Sequence, residues 1–207
     1  TAEALAEGVA AAFDRAVRAR RRKRADRSGR GRVAIVSPVP PQASGVADYT
    51  AELAGAFARR ADVELFVDRG VVPSASPTLW PAHDARRPHE RREAQGFDAV
   101  LHQIGASTYH VFVEQALERT PGIVTFHDLV WGRVPYHLAR TPLERSAFRR
   151  DLERLEGRGA RRELEKIESA GAVPDAEALD AFFRRFPMIG DIVRASRGVV
   201  AHFPDAA

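Results

Sequence analysis

RVAIVSPVPPQASGVADYTAEL, Arg32 to Leu53, is the stretch that decides the fold. Val33 to Ser37 is a short, continuous run rich in β-branched residues, the pattern of a strand buried on both faces. A loop bearing proline and serine follows, then Gly45, and Val46 to Arg60 reads as a helix with Ser44 placed to cap it. A buried strand that turns into a helix is the first half of a strand–helix–strand unit. The same signature returns at Val63 to Val67, Asp98 to Ile104, Gly122 to Asp128 and Gly198 to Phe203, with helical stretches over Thr108 to Arg119 and Asp175 to Arg197. This alternation predicts an α/β domain, a doubly wound, mainly parallel sheet with helices on both faces.

Two segments interrupt the alternation. Arg69 to Gln95 is rich in proline and poor in apolar periodicity, and reads as an excursion over the surface with a short helix at most. Thr141 to Ala170 is dense in Arg and Glu around Leu143, Phe148, Leu152, Leu155, Leu164 and Ile167, and reads as a helical pair broken near Gly157 to Gly159. Its charges suit a solvated face with i, i+4 pairs rather than chemistry.

Ahead of the first strand, residues 1–31 read as a separate unit: an amphipathic helix with Leu5, Val9, Phe13 and Val17 in one row, then the basic run Arg18 to Arg24 and a linker. Ten basic and four acidic residues lie up to Arg32, against twenty-two and twenty-four beyond it, so the net charge of +4 belongs to this arm. The body is close to neutral, which argues against a nucleic-acid partner. A docking helix followed by a solvated linker is the favoured reading of the arm, and weak contact with an anionic membrane surface is the alternative. No window approaches the roughly 18 consecutive apolar residues of a membrane span, and the N-terminus lacks the apolar core of a signal peptide. With no cysteine there is neither a disulfide framework nor a thiolate site. A soluble, cytoplasmic protein is expected. The chain opens at Thr1 rather than Met, as a processed or excised piece of a longer protein would.

Ligands of doubly wound sheets bind beyond the carboxyl ends of the strands, so the loops there are where chemistry is sought. The first, PVPPQASG, is neither a dinucleotide fingerprint nor a Walker A loop, since it has one glycine and no Gly-Lys-Ser/Thr. Ser44 and Gly45 nevertheless stand at a helix start, where free backbone N–H groups and the positive dipole end favour an anion. HQIGASTYH brings His102, Gln103, Gly105, Ser107, Tyr109 and His110 to a second strand end, and TFHDLVWG brings His127 and Asp128 to a third. A lone histidine in a strand is most often a core residue. Several polar groups converging on one sheet edge suggest a site.

Taken in order, VSPVPPQASGVADYTAEL, FDAVLHQIGASTYHVFV, GIVTFHDLV and RASRGVVAHF resemble the N-terminal domain of family 4 of the retaining, nucleotide-sugar-dependent glycosyltransferases with the GT-B fold. The resemblance runs from Arg32 to Phe203. It implies a Rossmann-like half of a two-domain enzyme, over residues 32–207, in which this half holds the acceptor and a C-terminal half holds the sugar nucleotide. Ser44 and Gly45 would then face the donor diphosphate. Asp48, Tyr49, Gln103, Gly105 and Tyr109 would line the acceptor side. His127 would be the catalytic polar group beside the transferred sugar, with Asp128 orienting it or a backbone amide. An acceptor hydroxyl attacks the anomeric carbon and the nucleoside diphosphate leaves. The resemblance implies no metal and no cofactor beyond the nucleotide sugar as co-substrate.

The family's donor signature, two glutamates separated by seven residues, has no match here, and the chain ends in HFPD where the family has a small hydroxyl residue after the histidine. The expectation is therefore an acceptor-side domain whose partner domain is missing and which is inactive by itself. The alternative is a non-catalytic Rossmann-like module that binds a phosphorylated small molecule or a glycan. A hydrolase is disfavoured, because there is no G-x-S-x-G elbow and a solitary His-Asp pair lacks the further ligands of a dimetal site.

Overall fold

Every strand of the sheet runs in the same direction. The structure, a computed structural model, describes residues 30–74, 81–85, 96–171 and 173–201. The expected N-terminal helix and its basic run, and the chain beyond Ala201, lie outside the described residues. In chain order the elements are β1 (Gly31–Val36), α1 (Gly45–Ala58), β2 (Ala61–Val67), β3 (Ala82–Asp84), β4 (Ala99–Ile104), a 3-10 turn (Thr108–His110), α2 (Val111–Arg119), β5 (Ile123–Phe126), α3 (Arg133–Leu138), α4 (Pro142–Ser169), α5 (Ala176–Arg185), α6 (Gly190–Ala195) and β6 (Gly198–Ala201). The sheet order is β3-β2-β1-β4-β5-β6, with each neighbouring pair parallel. The expected doubly wound α/β fold is the observed one.

Burial on both faces explains why β1 is apolar at successive positions. Val33 and Ile35 pack with Leu53, Ala54 and Phe57 of α1, whereas Ala34 and Val36 share a cluster with Phe112, Val113, Ala116 and Leu117 of α2. All four strand residues are at most 4 % exposed. Each large side chain buried this way contributes roughly 1.5–3 kcal/mol. A third cluster holds α4 and α5 together through Phe148, Leu152, Leu164, Phe182 and Phe183, with Tyr136 of α3.

Local signals set most of the helix ends. Thr141 caps α4 in a capping box with Glu144, and Pro142 opens the helix. The expected break falls at Gly157, whose φ of 88° suits glycine and divides α4 into rods over 142–156 and 158–169. The charges on these rods pair mainly across the break rather than along one turn: Arg145 and Arg149 meet Glu168, and Arg161 meets Glu153. Partly exposed pairs of this kind contribute little each to stability.

Three elements differ from the sequence expectation. The Asp175 to Arg197 stretch is two helices, because Pro187 has no N–H to continue the ladder and Met188 turns to φ 56°. The excursion contains β3, a three-residue strand that extends the sheet beside β2. A short helix, α3, follows the β5 loop over a stretch to which the sequence pattern assigns no element. Among the described residues no helix is long and apolar enough to cross a membrane.

Candidate functional site at the sheet's switch point

The strand order reverses between β1 and β4, which opens a crevice outside their carboxyl ends. Three loops border it: the one entering α1, the one leaving β4, and the one leaving β5.

Ser44 caps α1 from an extended conformation, its Oγ accepting from the Val46 N–H at 3.3 Å. The preceding loop closes on itself, since Gln42 accepts from Val39 N through its side chain at 3.2 Å and from Ser44 N through its carbonyl at 2.9 Å. Gly45 is exposed, and a Cβ added there would meet nothing within 4 Å. Its φ lies outside the left-handed region, so the fold makes no conformational demand for glycine at this position. What glycine provides is open space against the first N–H groups of a fourteen-residue helix. Asp48 is exposed in the first turn, where its charge suits the dipole.

The β4 and β5 loops are tied together. His127 Nε2–H donates to Gln103 Oε1 at 2.8 Å, and Gln103 Nε2 donates to Thr125 Oγ1 at 3.4 Å. The His127 backbone N–H donates to Ile104 O at 2.8 Å, and Asp128 Oδ2 accepts from the Ala106 N–H at 3.3 Å. Asp128 thus orients a backbone amide of the neighbouring loop. The Tyr49 ring stands edge-on to His127 with centroids 4.8 Å apart. Burial, with Glu52 nearby, raises the Tyr49 phenol above its ordinary pKa and keeps it protonated.

Of the residues singled out from the sequence, Ser44, Gly45, Asp48, Tyr49, Gly105, Tyr109, His127 and Asp128 all lie on these loops or on the helix turns that follow them. Gln103 does not line a surface. It is fully buried, and its place is beneath His127, which it holds. Gly105 is also buried. A Cβ there would come within 3.1 Å of His110 Cε1 and 3.3 Å of Val46 Cγ2, so glycine lets α1 and the 3-10 turn meet. Tyr109 is 40 % exposed on that turn.

Thr125 is the group that the sequence reading did not single out. It is 1 % exposed and pairs in register with Gln103, so the two side chains share a face. A hydroxyl inside the apolar run IVTF was the available signal. His110 is another internal group: Ser107 Oγ meets its Nδ1 at 3.0 Å, its Nε2 has no partner among the described residues, and burial lowers its pKa to about 4.

His102 belongs elsewhere. One residue before Gln103, it faces the opposite side of the sheet and donates from Nε2 to Thr120 O, the carbonyl that ends α2, at 2.9 Å. Burial lowers its pKa to about 4, so it is a neutral core histidine.

The site therefore offers hydrogen-bonding groups, tied to one another across two strand ends, beside an open helix N-terminus. Such an arrangement suits a polyhydroxylated or phosphorylated ligand. Among the described residues no group of three His, Asp or Glu side chains is arranged to hold a metal ion. Comparison with protein-family models, with curated proteins and with solved structures finds no match to this chain.

Proposed function

We propose that this chain is the acceptor-side, N-terminal domain of a retaining glycosyltransferase that moves a sugar from a nucleotide-sugar donor to an acceptor hydroxyl. The observation that carries the reading is the convergence at the β1/β4 switch point. There the open N-terminus of α1 at Ser44 and Gly45 and the Gln103-held His127 border one crevice.

The roles follow from the chemistry each group can perform. As the anomeric bond breaks, negative charge grows on the departing diphosphate, and the N–H groups and dipole at Gly45 meet that charge without reorganising. His127 is held in one tautomer by Gln103, which orients its ring toward the sugar. Tyr49, Gly105 and Tyr109 shape the acceptor side. Asp128 fixes the Gly105–Ser107 loop through the Ala106 amide. The donor's nucleoside would be held by a second domain, so this chain supplies part of the contacts.

The test is a titration of the ¹⁵N-labelled chain with UDP, GDP, pyrophosphate and glycerol, followed by amide NMR. The Gly45 and Val46 signals should move first with the diphosphates, at roughly millimolar affinity. Glycerol should move Gly105, Tyr109 and His127. Diphosphate binding confined to residues away from α1, or no response at Gly45 and His127 to any of the four, would refute the assignment.

A further inference from the structure

A second concave site lies between α2, α3, α4 and α6, with a volume of about 370 Å³. That is the lower end of the range in which small-molecule pockets fall. Its floor is apolar: Trp131, Val134, Phe148, Met188 and Ile192 are each no more than 5 % exposed. Leu138, 45 % exposed, stands at the mouth.

Four carboxylates reach the wall, and three are committed. Asp191 accepts from both Nη atoms of Arg154, at 3.0 and 2.6 Å, and from Arg194. Asp151 accepts from Arg154 at 3.1 Å. Glu144 Oε2 accepts from the backbone N–H groups of Arg140 and Thr141, each at 2.8 Å, to close the α4 cap. Glu114, on the first turn of α2, has no hydrogen-bond or ion-pair partner among the described residues.

We propose that this cavity binds a small organic ammonium ion, its nitrogen on the Glu114 carboxylate and its apolar body over Trp131 and Phe148. Charge complementarity selects that class. Arg154, the cationic side chain among the described lining residues, is already shared between Asp151 and Asp191, so an anion would meet repulsion without a partner. A neutral apolar molecule would use the floor but leave Glu114 as it is. A cation answers both, because it pairs with the carboxylate while its apolar part leaves water.

Burial first, then Glu118 on the same helix and Asp191 across the cavity, push the Glu114 carboxyl up to about 7. The other groups that face it are Asp151, Arg154 and Glu144 from α4 and the Asp191–Arg194 pair from α6, while α3 supplies only apolar wall. Ammonium binding then requires Glu114 to lose its proton, so affinity should rise by about tenfold from pH 6 to pH 8 and level off above. This site stands apart from the switch-point crevice and does not depend on the glycosyltransferase reading.

The experiment uses the full chain in a Trp80→Phe background, so that Trp131 fluorescence reports on the cavity. Benzylamine, benzyl alcohol and benzoate are titrated at pH 6 and pH 8. The expected order is benzylamine tightest, by about tenfold over benzyl alcohol at pH 8, with benzoate not binding. Glu114→Gln should abolish that preference and the pH dependence while benzyl alcohol binds as before. Ala147→Phe, which adds bulk to the lining and leaves the Glu114 carboxyl in the chain, should remove binding of both. Circular dichroism verifies that each variant is folded. Equal affinity for benzylamine and benzyl alcohol, unchanged amine binding in either variant, or no saturable amine binding by the folded parent would overturn the proposal.

Discussion

Replacing His127 by alanine removes two things at once. Gln103 Oε1 loses its donor, and Gln103 is fully buried beneath the half-buried His127, so the only replacement is a water ordered in the space the imidazole leaves. A stranded buried acceptor costs about 1–3 kcal/mol. The edge-on contact with Tyr49 contributes a further 0.5–1.5 kcal/mol or so. His127→Ala should therefore lower stability by roughly 2–4 kcal/mol. For a domain of this size that corresponds to a fall in Tm of roughly 5–15 °C. The origin of the loss is separable. Gln103→Leu removes the buried acceptor as well, so the double variant should be more stable than the two single losses added together, with a coupling of at least about 1 kcal/mol. Urea unfolding followed by circular dichroism at pH 7.5, on wild type, both single variants and the double variant, gives the four numbers required. A His127→Ala variant within about 0.5 kcal/mol of wild type, or strictly additive losses, would refute the claim that Gln103 positions His127.

Other outcomes follow from the same geometry. His102 titrates near 4 in the folded protein and at about 6.5 when unfolded, so its contribution is full above pH 6.5 and is lost as pH falls toward 4. His102→Gln keeps a donor for Thr120 O, and its stability difference between pH 7.5 and pH 5 should shrink by about 2 kcal/mol; an unchanged difference would locate the acid sensitivity elsewhere. Gly122→Ala places a Cβ 2.4 Å from the backbone oxygen of Val100 and 3.0 Å from His102, and should cost about 3 kcal/mol, the upper end for overpacking, which thermal melting would reveal or refute. Gly45→Val, by contrast, meets open space and should leave the Tm unchanged while weakening pyrophosphate binding; a large stability loss would make Gly45 a folding residue. The chain alone should transfer no sugar from UDP- or GDP-sugars, and robust turnover would refute the division of the site between two domains.

How much of this was readable before folding depends on the distance over which each signal acts. Val33 to Val36 announce a doubly buried strand because each residue carries its own evidence of burial. Ser44, Thr141 with Glu144, and Gly157 mark helix ends because capping and left-handed backbone are contacts within a few residues. Even the break at Pro187 is local chemistry, outweighed in the sequence reading by the apolar periodicity on either side. β3 escaped for the opposite reason: Ala82 to Asp84 have no pattern of their own and are a strand only because β2 offers them an edge. The candidate site shows the same division. The residue types at each strand end, and the opposite faces taken by His102 and Gln103, follow from chain order and from alternation. That Gln103 lies beside Thr125 and beneath His127 required β4 and β5 to pair in one register, and that His102 ends against Thr120 required α2 to lie on that face. Sequence periodicity records whether a side chain is buried, because burial acts on each residue separately. Which partner it is buried against is set by strand order and crossover packing, which only the assembled sheet decides.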